Sequence, residues 1–317
     1  MQYIKRKKEN LILHYDPAKE PIATVDPGEI FQVETADAEE WVKDIQTDQD
    51  VIPEDFNEDF VTPATGPIYV NGAEKGDTVV VEFLSIDVVP PSFTCTLKGI
   101  GYTNELFENA PTTHVYEIKN QFLYFNEEIR FPLAPMAGIV GTTPKERYRV
   151  FLVGDHGGNV DDPESSPGSY IYLPVFHEGG LLAFGDVHAA QGKGETLMGV
   201  ETDAVLTLRV HLLKNFQVEG MRIETQNKWA FIATGDEFSE TIKLAAHRMA
   251  RFLQERLDLS IEEATAVMCA KCNYGINSAL GKDYFAVIRA EIAKDIDAKD
   301  RLSGAYERNG NIFIGGA

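Results

Sequence analysis

An aspartate and a histidine two residues apart, Asp186 and His188, are the residues whose types and spacing most directly suggest chemistry. On an extended chain they face the same side, so both can ligate one metal ion. Gly185, Gly192 and Gly194 would let the backbone approach a ligand closely. Taken alone, however, an Asp-x-His pair more often forms a hydrogen-bonded turn. The spacing therefore leaves both interpretations open.

Two further polar clusters lie upstream of this pair. Glu34 and Asp37 fall within an acidic stretch at 33–37, which by itself is typical of a solvated strand end. The glycine pair before Asn159, in the segment 157–162, can present backbone N–H groups to an anion or simply form a tight turn. Neither cluster identifies a reaction on its own.

Several common catalytic patterns are absent from the sequence. It contains no His-Glu-x-x-His and no Gly-x-Ser-x-Gly. The stretch 192–194 resembles a phosphate loop but lacks the upstream glycine and the Ser or Thr after its lysine. Cys269 and Cys272 form a Cys-x-x-Cys without a second pair, which favours two ordinary helix thiols over a redox or zinc motif.

The elements that must position these residues are mainly strands up to residue 232. Strand candidates lie at 79–83, 148–153, 170–176 and 205–212. In the last, leucine or valine at every second position alternates with polar residues, which is the period of a half-buried strand. Many short strands separated by Gly and Pro turns predict a distorted sandwich or barrel.

The pattern changes to helical spacing after residue 232. Possible capping boxes at 234–237 and 260–263 open two amphipathic segments, and a third runs from about 284 to 296. We therefore predict a mainly β, α+β fold, with a β-rich catalytic region at 1–232. The helical region at 233–317 is expected to pack on the β core and not to form an independent module.

Composition limits the possible partners and compartment. The 317 residues contain 29 basic and 50 acidic side chains, a formal net charge of −21. Such a surface disfavours nucleic acid and anionic membranes as partners. The three cysteines suit a reducing cytoplasm, and no apolar run approaches the ~20 residues that span a bilayer. The basic cluster at 5–8 lacks the apolar core of a signal peptide.

Five segments, read together and in order, resemble the acetamidase/formamidase family. They are VDPG leading into VETAD at 25–37, TGPIYVNGAEKGD at 65–77, PLAPMAG with VG at 132–141, GGN before YLPV at 157–175, and GDVHAAQGKGE at 185–195. Five ordered matches are far more specific than any single one. The resemblance implies an enzyme that hydrolyses a small amide such as formamide or acetamide, and it suggests a homodimer.

The resemblance also implies a divalent metal ion at the active site. We expect Asp186 and His188 to ligate it, together with Glu34 and Asp37 from the early strand. One imidazole with several carboxylates suits zinc, with calcium or manganese as alternatives. Metal-bound water has a pKa near 7 instead of about 16, which supplies the nucleophile that amide hydrolysis needs.

The remaining roles follow from this mechanism. Glu201, at the place where the family has a glutamate, is expected to take a proton from the water and pass it to departing ammonia. Donors at Asn159 and Gln191 are expected to hold the oxyanion. Two alternatives stay open: a metal-dependent hydrolase of another small amide or ester, and a non-enzymatic binding protein on the same fold.

Overall fold

Strands dominate the computed structural model, which describes residues 1–40, 42–278 and 286–303. The first ten are β1 (Gln2–Ile4), β2 (Leu11–Ile12), β3 (His14–Tyr15), β4 (Ala23–Val25), β5 (Ile30–Thr35), β6 (Ala64–Val70), β7 (Thr78–Thr96), β8 (Thr112–Lys119), β9 (Phe122–Tyr124) and β10 (Arg130–Pro132). The next ten are β11 (Met136–Gly141), β12 (Tyr148–Arg149), β13 (Gly157–Asn159), β14 (Tyr170–Pro174), β15 (Leu182–His188), β16 (Glu201–Leu213), β17 (Arg222–Glu224), β18 (Lys228–Gly235), β19 (Asn273–Ser278) and β20 (Ala286–Ala293). Helices α1 (Phe238–Leu257) and α2 (Ile261–Lys271) lie between β18 and β19, and short 3-10 turns cover Lys8–Asn10, Glu58–Phe60, Asn104–Leu106 and Lys294–Ile296.

The predicted alternation at 205–212 forms the centre of the longest strand pairing described. β16 runs antiparallel to β7 from Glu201 opposite Phe93 to Leu213 opposite Thr78. Leu206 and Leu208 on its inner face are completely buried, as the alternation predicts. β5 pairs with the other edge of β16, and β1 pairs with β5 in parallel. Most of the described strands join one large sheet in this way, which confirms the mainly β, α+β fold class.

Three adjacent strands of the sheet carry or border the polar clusters that include Asn159, Asp186 and His188. β11 lies between β13 and β15 and is antiparallel to both. β15 also pairs with β6, and its last residue, His188, lies opposite Glu201 at the start of β16. Every residue of β15 is buried, so its polar side chains lie in the interior.

The two predicted helices form, although one begins later than its sequence pattern suggested. Thr234 and Gly235 end β18, and α1 starts at Phe238 without a side-chain cap, so no capping box forms at 234–237. At α2 the predicted box is present, because Ser260 accepts a hydrogen bond from the Glu263 N–H and the Glu263 carboxylate accepts one from the Ser260 N–H. Cys269 and Cys272, at and just beyond the end of α2, are free thiols.

The prediction of a third helix at 284–296 is wrong for its described residues. From 286 to 293 the chain is β20, which pairs with β18 on one side and β19 on the other. Residues 287–290 of β20 are buried in succession, so its sequence lacks the two-residue alternation and resembles a buried helix. The predicted region boundary at 232/233 falls inside β18, whose partner strand is β20.

The helices pack on this end of the sheet through aromatic side chains. Phe252 of α1 lies 4.9 Å, between ring centroids, from both Trp229 and Phe231 on β18. Neither described helix is long and apolar enough to cross a membrane.

A buried histidine outside the polar clusters yields a testable consequence. His156 packs edge-on against Tyr15 and Tyr148, and its Nε2 has no hydrogen-bond partner among the described residues. Burial lowers the pKa of His156 to about 3. Below pH 6.5 the His156 imidazole therefore takes up a proton in the unfolded chain but stays neutral in the folded chain. The free energy of unfolding consequently falls as the pH drops below 6.5.

We predict that His156→Phe removes this loss. Between pH 7.5 and pH 5, the variant should gain about 2 kcal/mol of unfolding free energy relative to the wild type. Urea titrations at both pH values measure the difference. His247→Phe is the matched control, because His247 is exposed and its curve should run parallel to the wild type. Parallel curves for His156→Phe would contradict the prediction.

Candidate active site

Two aspartates and a histidine converge where β13 and β15 flank β11. Asp161, Asp186 and His188 each have one potential metal-ligand atom within 4.8 Å of those of the other two. His188 Nε2 lies 3.6 Å from Asp186 Oδ1, and His188 Nδ1 lies 3.9 Å from Asp161 Oδ1. Asp186 and His188 thus face each other, as their i, i+2 spacing indicated.

Gly138 on β11 makes the approach of the two aspartates possible. A methyl group at this position would lie 2.6 Å from Asp161 Oδ1 and 2.7 Å from Asp186 Oδ2. A side chain there would therefore occupy the space that the two carboxylates use. Gly199 does the same for the imidazole, because a methyl group there would lie 2.3 Å from His188 Cγ. The geometry of the site therefore requires glycine at positions 138 and 199.

Both aspartates adopt a left-handed backbone. The φ angle is 49° at Asp161 and 51° at Asp186. Such a conformation costs about 1–2 kcal/mol for a residue with a Cβ, although aspartate tolerates it better than most. Strain of this kind persists where the surrounding structure enforces it, and it is concentrated at functional sites.

Further carboxylates surround this group. Glu201 Oε1 lies 2.9 Å from His188 Nε2, and Glu39 and Glu195 are also buried. Burial raises the pKa of both Glu195 and Glu201 to about 7, against the opposing effect of the nearby His188. Burial, reinforced by Glu195, raises the pKa of Asp161 well above its usual range.

His188 is shifted in the opposite sense to an ordinary buried imidazole. Burial alone lowers its pKa, but the adjacent Glu201 and Asp186 carboxylates outweigh that effect and raise the pKa well above 6.5. A positive charge at this point, either a proton or a metal ion, is therefore electrostatically favoured.

Of the three converging residues, Asp186 lines a small cavity of about 80 Å³, and Glu201 lines it as well. Its polar lining consists of Glu39, Thr62, Arg149, Asn159, Asp186, Glu195 and Glu201. Its apolar lining consists of Ala38, Phe56, Val61, Leu97, Ile100, Phe151, Leu197 and Met198. This volume holds a few non-hydrogen atoms, since a single water needs about 10–15 Å³ by the same kind of measure.

The predicted site residues are only partly brought together. Asn159 lines the cavity with its buried Oδ1 unpartnered among the described residues. Gln191 is not among the cavity-lining residues, and its Nε2 donates to the Asp161 carbonyl at 3.0 Å. Asp186, His188 and Glu201 meet as expected.

The two early acids lie elsewhere. Glu34 accepts a hydrogen bond from the Tyr3 hydroxyl at 2.6 Å and another from the Arg6 N–H. The Glu34 side chain lies on the partly exposed face of β5, because Val33 and Thr35 occupy the buried face. Asp37 belongs to a second acidic group with Glu40 and Asp203; burial and then the Asp203 charge raise its pKa to about 8.

Sequence reasoning missed Asp161, Glu39 and Glu195 as site residues. Signals for two of them were present: Asp161 follows the Gly-Gly-Asn segment, and Glu195 closes the segment that contains Asp186 and His188. Glu39 carries no comparable signal, since it stands among several acids of a loop.

The fold and this site define a mainly β protein with an enclosed carboxylate and imidazole centre beside a cavity for a very small molecule. Comparison with known proteins then identifies its relatives. The profile of the Acetamidase/Formamidase family matches residues 2–150 and 146–246, and the chain belongs to that family.

Individual relatives support this assignment. The chain is 26% identical to an acetamidase of Mycolicibacterium smegmatis, a match covering 61% of this chain and 63% of that protein. It is 25% identical to a formamidase of Methylophilus methylotrophus, covering 61% and 62%. The chain thus matches somewhat under two thirds of the length of these curated relatives.

Solved structures extend the likeness over nearly the whole chain. The crystal structure of an acetamidase from Bacillus halodurans superposes with a TM-score of 0.86 at 32% identity, covering 93% of this chain and 98% of that one. A predicted acetamidase/formamidase from Thermoanaerobacter tengcongensis gives 0.85 at 30% identity, covering 93% and 97%.

We predict that Gly199→Ala destabilises the protein by about 1–3 kcal/mol, because the added methyl group must displace the buried His188 ring. Gly192→Ala is the control, since a methyl group there meets no atom of the described residues within 4 Å. Its effect should stay within about 0.5 kcal/mol. Denaturant unfolding measures both, and the His188 imidazole C–H signals in an NMR spectrum should move in Gly199→Ala alone. Equal stability of the two variants would contradict this account of the site.

Proposed function

We propose that this chain is an amidase that hydrolyses a small aliphatic amide, such as formamide or acetamide, to the carboxylate and ammonia. The reaction would use water activated by a divalent metal ion held by Asp161, Asp186 and His188. The observation that carries this proposal is the convergence of those three side chains beside an 80 Å³ cavity. The family to which the chain belongs gives the class of substrate.

The residues present fit a metal ion. Two carboxylates and one imidazole form a nitrogen and oxygen donor set that suits zinc, and also admits calcium or manganese. Buried oxygens of Glu195 and Glu201 lack hydrogen-bond partners among the described residues, and a bound cation would compensate the charge of these carboxylates when they are ionised. Because Asp161 lies beside Asp186 and His188, we place it in the ligand set with them, in place of Glu34 and Asp37.

A bound divalent cation would lower the pKa of a coordinated water from about 16 to near 7. Glu201 would accept a proton from the attacking water and deliver it to the departing nitrogen, which must leave as ammonia. Its pKa of about 7 suits both steps, because a group that titrates near the working pH takes up and releases a proton with similar ease.

The cavity walls would orient a small neutral amide. The Asn159 side chain, buried with an unpartnered Oδ1, can hydrogen-bond the carboxamide group. The apolar wall, which includes Leu97, Ile100 and Met198, would take the short acyl group. The several carboxylates around the cavity would repel an anionic substrate.

We predict that the purified protein releases ammonia from formamide or acetamide and loses this activity when a chelator removes its metal. Asp161→Asn and His188→Gln should lower the bound metal per chain together with turnover. Glu201→Gln should keep its metal while turnover falls by about 10²–10⁴-fold, since a proton-transfer step is lost. Metal content by elemental analysis and ammonia by a coupled assay measure both quantities.

Glu34→Gln is the matched control, because Glu34 lies outside the convergent group and should leave metal content and turnover near wild-type values. Turnover of another amide or an ester, with no ammonia from the two simple amides, would favour a related hydrolase. Binding of small amides without turnover would favour a non-enzymatic binding protein. Full activity without metal would exclude the proposed mechanism.

A further inference from the structure

A fully buried arginine on β20 contacts the residue next to Asp161. Arg289 is 1% exposed, and its Nη1 donates to both oxygens of Asp162, at 2.6 and 2.8 Å. Its Nη2 donates to Glu164 at 2.7 Å and to Glu291 at 2.6 Å. A guanidinium that binds one carboxylate through two bonds fixes the orientation of that carboxylate as well as its position.

The charges around Arg289 are balanced. Three carboxylates, those of Asp162, Glu164 and Glu291, meet three cations, since Lys193 and Lys228 also pair with Glu164 and Glu291. Because a buried charge is costly unless it is paired, the network holds Asp162 at one place. Lys193 ties the network to the loop that follows His188.

β19 contributes a second contact to the same residue. Asn277 Nδ2 donates to Asp162 Oδ2 at 3.0 Å, and both side chains are completely buried. The next residue, Ser278, forms a β-bridge with Glu195, which lines the cavity. The β19–β20 pair therefore contacts Glu195 of the candidate site and Asp162, the residue next to Asp161.

Asp161 depends on this support because its own backbone is strained. It has a φ of 49°, and its carbonyl accepts the Gln191 side chain while its N–H contacts the Gly138 carbonyl at 3.3 Å. One peptide further on, Asp162 is anchored by Arg289 and Asn277. The direction of the Asp161 carboxylate is thus set by anchors on both sides of a strained residue.

We propose that Arg289 and Asn277 are positioning residues, which hold Asp161 in the orientation for metal binding by anchoring Asp162. This inference rests on the proposed function, in which Asp161 is a metal ligand. Neither residue lines the cavity, so their effect on the metal is exerted through Asp162. Groups that orient metal ligands without touching the metal typically change its affinity by about 10–100-fold.

The test measures zinc affinity of the full chain by competition with a chromophoric chelator, at a temperature where each variant is folded. Arg289→Gln and Asn277→Ala should raise the zinc dissociation constant by about 10–100-fold. Arg289→Lys should fall between Arg289→Gln and the wild type, because an ammonium keeps the charge but has one nitrogen where the guanidinium uses Nη1 for Asp162 and Nη2 for Glu164 and Glu291. Asn277→Ala decides the question should Arg289→Gln fail to fold.

Lys294→Gln is the matched control, since it removes another buried cation, paired with Glu224 at 2.6 Å, and should bind zinc as the wild type does. The inference is overturned, and the proposed function is kept, if Asn277→Ala and Arg289→Lys fold and bind zinc as tightly as the wild type while Asp161→Asn binds zinc more weakly. Failure of the wild type to bind zinc, calcium or manganese, or unchanged metal binding in Asp161→Asn, would overturn the metal site of the proposed function as well.

Discussion

The burial of several carboxylates around one imidazole is the constraint on which the rest of this structure depends. Asp161, Asp186, Glu195 and Glu201 lie in the interior within electrostatic reach of His188. A buried negative charge is unfavourable unless a proton, a cation or hydrogen bonds compensate it. One histidine cannot compensate the charge of four carboxylates, so the centre must bind protons or a metal ion. Either of these gives the centre a group that can take part in a reaction.

This arrangement requires backbone features that are unfavourable in an ordinary protein core. Asp161 and Asp186 are held at positive φ, and Gly138 and Gly199 leave out the side chains that would block the carboxylates and the ring. The pairings of β11 with β13 and β15 hold the chain close to Asp161 and Asp186. The strands thus provide the rigidity that lets strained side chains keep a fixed geometry.

The C-terminal part of the chain is more closely involved in the site than a packed helical tail would be. β20 joins the sheet through β18, and its Arg289 reaches across to Asp162 behind the centre. The helices α1 and α2 cover the aromatic face around Trp229 and Phe231. The chain therefore returns to support residues that lie over a hundred positions earlier, as in the Arg289–Asp162 contact.

The sequence by itself determined the features that depend on local period. Alternation at 205–212 predicted a half-buried strand, and the close spacing of Asp186 and His188 along the chain indicated that their side chains lie near each other. The Ser260 capping box marked the start of α2. Each follows from backbone geometry over a few residues, which is the range that a sequence pattern encodes.

Tertiary structure alone decided which distant residues meet. Asp161, and not Glu34, joins the centre because β11 lies between β13 and β15, whereas Glu34 sits on the face of β5 opposite the buried Val33 and Thr35. The segment 286–293 is a strand because β18 and β19 supply its hydrogen-bond partners. The sequence pattern does not show which distant strands pair, since the energy of the pairing comes from residues far away along the chain.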